Sequence, residues 1–233
     1  MVTTKQSSHH GIEKIFVITI DGPAGAGKST VAKKLAGVLG ISYLDTGAMY
    51  RALTYKALQT GVNLEDEEHL HKLAQATMID LEEGSQGMNV LLDGRDVSRQ
   101  IRSIDVTNHT FYIAQAARIR EIMVNWQRAI GEKKSIVIEG RDAGTVIFPQ
   151  ADWKFYLDAS LEERTRRRRE ELKTQGKKVD EAVLREEIWQ RDQKDFTRAV
   201  GPLKRAADAV LIDSTRLSID EVIKTMMEFI QQA

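Results

Sequence analysis

Short apolar runs of strand length recur along the chain, with helical patterns between them. Residues 15–20 (IFVITI), 41–44 (ISYL), 135–139 (SIVIE), 153–157 (WKFYL) and 209–212 (AVLI) are rich in β-branched and aromatic side chains. Residues 31–39 read as a helix with Val31, Leu35, Val38 and Leu39 on one face, and Gly40 fits its stop. A second helix runs from about Arg51 to Gln59, with Gly61 as breaker. A third covers 64–76 and opens on an acidic turn, Glu65 to Glu68, as a helix N-terminus prefers. Helix is expected again over 110–130 and over the strongly charged 161–198, interrupted near Gly176. A last helix spans 218–230, where Ile219, Val222, Ile223, Met226, Phe229 and Ile230 keep helical spacing. Strands of continuous apolar character alternating with helices predict an α/β fold, with a parallel sheet covered on both faces. Between 78 and 103 the texture changes. Residues 78–81 and 89–92 are strand-like and flank Glu83-Gly84-Ser85-Gln86-Gly87, which reads as a hairpin in an antiparallel lobe inserted into the main fold.

Composition narrows the classes. The 233 residues are 42% hydrophobic and 29% charged, an ordinary globular mixture with room for one sizeable core. Lys+Arg and Asp+Glu both total 34, so the formal net charge is zero, which argues against a protein that holds nucleic acid by charge alone. There is no cysteine, hence no disulfide, thiolate metal site or cysteine nucleophile. No apolar run is long enough to cross a bilayer. Residues 1–14 are polar, lack the apolar centre of a secretory signal and read as a disordered tail. His9-His10 has no companion ligands there. A cytoplasmic monomer is expected, with no nucleic-acid or membrane partner.

The first apolar run stops at Asp21 and meets Gly22-Pro23-Ala24-Gly25-Ala26-Gly27-Lys28-Ser29-Thr30, a phosphate-binding loop with its required strand before and helix after. Glycines without Cβ let the backbone curl and bring its N–H groups close to oxygen ligands. The following helix N-terminus favours the same anion. Lys28 adds a mobile charge for the outer phosphates, and the Ser29 hydroxyl suits Mg²⁺. The loop implies a nucleoside triphosphate and leaves its use open.

Arginines beyond the loop bear on that use. Arg51 follows Asp-Thr-Gly-x-x-Tyr, Arg141 follows a strand, Arg164 to Arg169 head the charged helix, and Arg191 and Arg198 lie further along it. Guanidinium grips phosphate oxygens bidentately, and phosphoryl transfer needs mainly positioning and charge neutralisation. Gly-Arg-Asp occurs at 94–96 and 140–142; only the second follows a buried strand, where ligands bind in open α/β sheets. Asp158 and Asp213 end strands and lean toward helix-cap roles. No Asn-Lys-x-Asp motif supports a GTPase.

The blocks Asp21 to Thr30, Leu44-Asp45-Thr46-Gly47-Ala48-Met49-Tyr50-Arg51, Gly140-Arg141-Asp142-x-Gly144-Thr145-Val146-x-x-Pro149, and Arg191-Asp192-x-x-Asp195-x-x-Arg198 with Pro202-Leu203 resemble, in this order, bacterial cytidylate kinases. The resemblance covers nearly all of 15–233 as one P-loop kinase domain. It implies a parallel core sheet, a monophosphate-binding insert at about 62–105 and a helical lid at about 160–200. The implied reaction takes ATP and CMP or dCMP, with Mg²⁺, to ADP and CDP or dCDP. Residues 22–30 would cradle ATP, with Lys28 catalytic and Ser29 on Mg²⁺, partly through water. Arg164, Arg167 and Arg168 would reach the phosphates as the lid shuts. Arg51, Arg141 and Arg198, with Thr46 and Tyr50, would hold the acceptor phosphate. Asp142 and Arg120 would read cytosine, and Arg191 and Asp195 would bind the ribose. Phe111 stands where the family usually carries a base-contacting serine, so Thr110 supplies a hydroxyl or Phe111 stacks on the base. Glu139 stands where aspartate is common. The alternatives weighed are a P-loop kinase of UMP, dTMP or shikimate, and a nucleotide-switch ATPase.

Overall fold

Each of the five apolar runs becomes a parallel strand, displaced so that the strand ends on or beyond a carboxylate. The computed structural model describes residues 15–84, 87–174 and 176–232; the tail expected at 1–14, with His9 and His10, lies outside them. In chain order, β1 (Val17–Asp21) enters the glycine loop and α1 (Lys28–Leu39), and β2 (Ser42–Asp45) leads into α2 (Thr46–Thr60) and α3 (Glu67–Gln75). The insert carries β3 (Ile79–Gly84), β4 (Gly87–Leu92) and the two-residue β5 (Arg95–Asp96). Then come α4 (Ile104–Gln115), α5 (Ala117–Gly131), β6 (Ile136–Gly140) and a single π-helical turn, Ala143–Ile147. The chain continues through β7 (Trp153–Asp158), α6 (Leu161–Thr174), α7 (Glu181–Thr197), β8 (Val210–Asp213) and α8 (Ile219–Gln231).

The core sheet has the order β2-β6-β1-β7-β8, all parallel. Its register sets Asp45 beside Glu139, Asp21 beside Gly140, and Asp158 beside Asp213 along one carboxyl edge. One face buries Val17, Leu44, Ile136 and Ile138 against Met49, Leu53, Ile113, Ile119 and Met123 of α2, α4 and α5. The other buries Ile18, Ile20, Phe155, Leu157 and Ile212 against α1 and α8. Truncating a fully buried phenylalanine such as Phe155 costs about 3–5 kcal/mol, so both layers hold the edge rigidly.

The antiparallel lobe has three strands, with its own apolar centre of Ala48, Ala52, Val90, Leu92, Val97 and Ile101. The first Gly-Arg-Asp, expected as a turn, starts in one and ends in a strand. Asp93 (φ 49°) and Gly94 (φ 79°) make a two-residue hairpin turn between Leu92 and Arg95. The helix expected over 110–130 is two helices. The first starts earlier, where Ser103 caps the Val106 amide, and the chain breaks at Ala116 (ψ 114°). No glycine or proline marks that break, so the pattern alone could not show it. Helices α6 and α7 pack Leu172 against Leu184 and Ile188.

Asp158 and Asp213 are structural, though neither caps a helix. Asp158 accepts from the Ala159 amide and Asp213 from Thr215, while Ser160 and Ser218 accept from the Glu163 and Glu221 amides in the first turns of α6 and α8.

Candidate active site

The glycine loop is shaped by its neighbours. Gly22 (φ 151°) packs so tightly that a Cβ there would lie 2.0 Å from the Leu157 carbonyl oxygen of β7. Gly27 (φ 93°) precedes α1 in the left-handed region, and no side chain caps the helix, which leaves its first amides directed to the loop. Lys28 is buried and donates to the Pro23 carbonyl over 2.8 Å. Burial, then the Arg141 guanidinium, push its ammonium down to about 7. Ser29 donates to the Glu139 carboxylate, which the Tyr43 hydroxyl also meets at 3.2 Å. Burial, then Asp45, raise the Glu139 carboxyl. Thr30 is exposed on the first turn of α1.

Asp45 ends β2, caps α2 through the Ala48 amide, and accepts from Arg51 at 2.7 Å. Burial opposes its charge, but Arg51 and that amide hold the carboxyl below its usual range. Thr46 donates to the Glu139 carbonyl oxygen at 2.8 Å. Asp21 accepts from the Ala143 and Gly144 amides, both at 2.8 Å. It thereby ties the start of the glycine loop to the π-turn that follows Asp142. Burial pushes Asp21 up to about 6 against those two amides.

Further along the edge, ionised groups alternate in sign. Arg120 donates to Asp142 and, at 3.2 Å, to the Ala114 carbonyl; its guanidinium lies 5.7 Å over the Tyr50 ring. Asp142 also meets Arg198 at 3.4 Å. Arg198 reaches Asp195 at 3.9 Å and donates to the Gly201 carbonyl. Asp195 accepts from Arg141 at 2.7 Å. Burial opposes ionisation of Asp195, but Arg141 and Arg191 hold it below its usual range. Arg191 lies alongside, lowered to about 10 by burial and then by Arg141. This series joins α4, α5, α7, the end of β6 and the loop after α7.

Most residues expected from the sequence therefore meet at one edge: the 22–29 loop, Thr46, Tyr50, Arg51, Arg120, Arg141, Asp142, Arg191, Asp195 and Arg198. Three expected residues have partners within the chain. Thr110 donates back to the Val106 carbonyl of its own helix at 2.7 Å, because a helical threonine finds that oxygen within reach. Arg168 pairs with Glu171 at 2.6 Å on the lid. Arg198 contacts Asp142, Asp195 and Gly201, next to the Arg120–Asp142 pair. The ring of Phe111 is faced by Lys194, whose ammonium lies 5.2 Å from its centroid. Arg167 donates to the Ala26 and Ser214 carbonyls at 3.2 and 2.6 Å, joining the lid to the loop after β8.

Sequence reasoning missed Asp21, Asp192, Lys194 and Ser214. Only Asp192 carried a signal: it continues at i+4 spacing the buried face of Leu184 and Ile188. The arrangement can hold a polyphosphate in the glycine loop and a second anion among Arg51, Arg141 and Arg191. Beyond these lies the Arg120–Asp142 pair, whose donors and acceptors match those of a heterocycle edge.

A family model described as cytidylate kinase matches residues 18–232. A cytidylate kinase of Desulforamulus reducens is 51% identical over 215 residues, covering 92% of this chain and 96% of the relative. One of Anoxybacillus flavithermus is 49% identical over 221 residues, covering 95% and 98%. In fold, the chain is similar to an uncharacterized protein of Eubacterium ventriosum at a TM-score of 0.51 and 17% identity, covering 94% of this chain and 100% of that one.

Proposed function

The chain belongs to the cytidylate kinase family and transfers the γ-phosphate of ATP to CMP or dCMP, and from that premise we propose how its residues divide the reaction. The observation that carries the division is the alternating series Arg120–Asp142–Arg198–Asp195–Arg141, which leads from the Arg120–Asp142 pair toward Lys28. Arg51, Arg141 and Arg198, with Thr46 and Tyr50 beside them, hold the acceptor phosphate. Arg191 and Asp195 take the ribose hydroxyls. Asp142 accepts from the exocyclic amine of cytosine, and Arg120 donates to the base's O2 or N3. Without an acceptor, Arg198 rests against Asp142 and Asp195.

The loop amides and Lys28 hold the donor phosphates. Arg167 and Arg164 bring the lid against the loop, and Arg168 swings from Glu171 to the phosphates. The acceptor phosphate is already an anionic nucleophile near neutrality, so no general base is needed; the arginines offset the repulsion of two anions and align them. The family uses ATP with Mg²⁺, and the donor set here suits it. Ser29 and Glu139 present hard oxygens, and no cage of three or more His, Cys, Asp or Glu exists among the described residues. Mg²⁺, when bound, neutralises charge on the donor phosphates; Ser29 would hold it, partly through water. In this reading the protein is a cytoplasmic monomer of pyrimidine nucleotide metabolism.

ADP release with ATP and a panel of ribo- and deoxymonophosphates tests the assignment. Turnover is expected with CMP and dCMP well above UMP and dTMP, and equal rates across the panel would refute the Asp142 assignment. A second variant tests position 111. A hydroxyl hydrogen bond is worth about 1 kcal/mol, so Phe111→Ser is expected to raise the CMP-to-UMP ratio of kcat/KM about fivefold. An unchanged ratio would show the ring to be neutral for selectivity.

A further inference from the structure

Helix α7 carries polar side chains in two directions. Arg191, Asp195 and Arg198, spaced i, i+4 and i+7, share the face turned to the acceptor slot. Asp192 is turned about 100° from Arg191 and faces the glycine loop. There one of its oxygens accepts from the Ala24 amide at 3.2 Å, and the other accepts from Arg164. Arg164 in turn donates to the Ala24 carbonyl at 3.0 Å and to the Ala159 carbonyl at 2.9 Å. Both backbone polar groups of one loop residue, Ala24, are thus held by a single ion pair, one partner from each of the helices α6 and α7. Ala24, Arg164 and Asp192 are all buried, at 8%, 7% and 4% exposure, so water does not compete for these bonds. The packing is close as well: a Cβ on Gly25 would lie 3.1 Å from the Cβ of Arg164.

We propose that Asp192 is a positioning residue that makes acceptor and donor binding interdependent. The inference rests on the assignment of Arg191 and Asp195 to the acceptor's ribose. When an acceptor engages those two side chains, it fixes the rotation and height of α7. Asp192, one residue from Arg191, carries that placement to the Ala24 peptide through two hydrogen-bonded contacts. The loop is then set for the triphosphate before it arrives. By reciprocity, a donor that orders the loop improves acceptor binding by the same factor. Asp192 touches neither ligand, so its effect lies in the coupling between them.

Calorimetric titration of the full chain tests this. The dissociation constant for CMP is measured alone and with saturating Mg²⁺ and β,γ-methylene-ATP. Coupling between sites typically amounts to about 5–150-fold, and the wild-type protein is expected to bind CMP at least about fivefold tighter with the analogue present. In Asp192→Asn the side-chain oxygen still reaches Ala24, but the amide nitrogen faces Arg164 and the bridge is lost. The ratio is expected to fall to near one, while CMP alone binds within about twofold of wild type. Arg164→Lys, which keeps the charge and loses the fork, is expected to lower the ratio too, and it serves as the test if the asparagine variant does not fold. A merely structural Asp192 would lower thermal stability and leave the ratio at its wild-type value, which overturns the proposal, as does a wild-type ratio of one. Wild-type protein that binds the analogue yet binds no CMP in either titration overturns the acceptor assignment itself, a separate and recognisable result.

Discussion

Lysine in place of Arg141 is expected to lower kcat/KM for CMP by about a thousandfold, nearly as much as alanine does. Removing one preorganised donor from a transition-state anion costs about 10²–10³ in rate, and Arg141 provides more than one. Its Nε is fixed by Asp195 at 2.7 Å and its Nη1 by the Gly140 carbonyl at 3.3 Å, so the guanidinium plane is set before substrate arrives. Lysine keeps the charge but has neither the plane nor the second point of attachment. The loss should fall on kcat as well as KM, because alignment of two anions belongs to the transition state. Steady-state kinetics of both variants check this. Recovery by lysine to within tenfold of wild type would mean that charge alone suffices at this position.

Alanine in place of Asp142 is expected to damage both the fold and the choice of base. Asp142 is buried between Arg120 and Arg198, and burial raises its carboxyl against the pull of both guanidiniums. Removing it leaves two cations without their shared partner, and breaking a buried pair in this way costs about 3–5 kcal/mol. For a chain of this size that lowers Tm on the order of 10 °C. Asparagine separates the two roles. It keeps the shape, and its amide can donate to uracil O4 as well as accept from cytosine N4. The CMP-to-UMP ratio of kcat/KM is therefore expected to fall about a hundredfold. Slow ATP hydrolysis without acceptor should change little. A CMP-to-UMP ratio that survives in Asp142→Asn, with Tm lowered, would make the residue structural.

The core strands and most flanking helices were legible because apolar periodicity is imposed by burial, and burial extends over whole elements. The break at Ala116 was not, because an alanine between two good helices carries no local mark; only tertiary packing turns the chain there, and that turn swings Arg120 toward Asp142. The π-turn after Asp142 was equally silent. It is fixed from a distance by Asp21, whose two bonds to Ala143 and Gly144 span 122 and 123 residues. Charged site residues could be named because the family resemblance named them. Their partners could not, since residue type alone does not say which carboxylate faces which guanidinium. Arg198 illustrates the gap: its partners Asp142, Asp195 and the Gly201 carbonyl could not be read from the sequence.

The series from Arg120 to Arg141 also determines what kind of event acceptor binding is. Its guanidiniums already have internal counterions, so an incoming nucleotide monophosphate arrives as a substitute anion in an exchange. Each carboxylate that yields an arginine to the phosphate must find another donor, and in the proposed assignment the ribose hydroxyls and the cytosine amine are such donors. The ligand thereby returns to the protein the hydrogen bonds it displaces. A ligand with the phosphate but without the sugar and the amine leaves Asp195 and Asp142 stranded. Inorganic phosphate is such a ligand, and the slot works against it as actively as it works for its substrate.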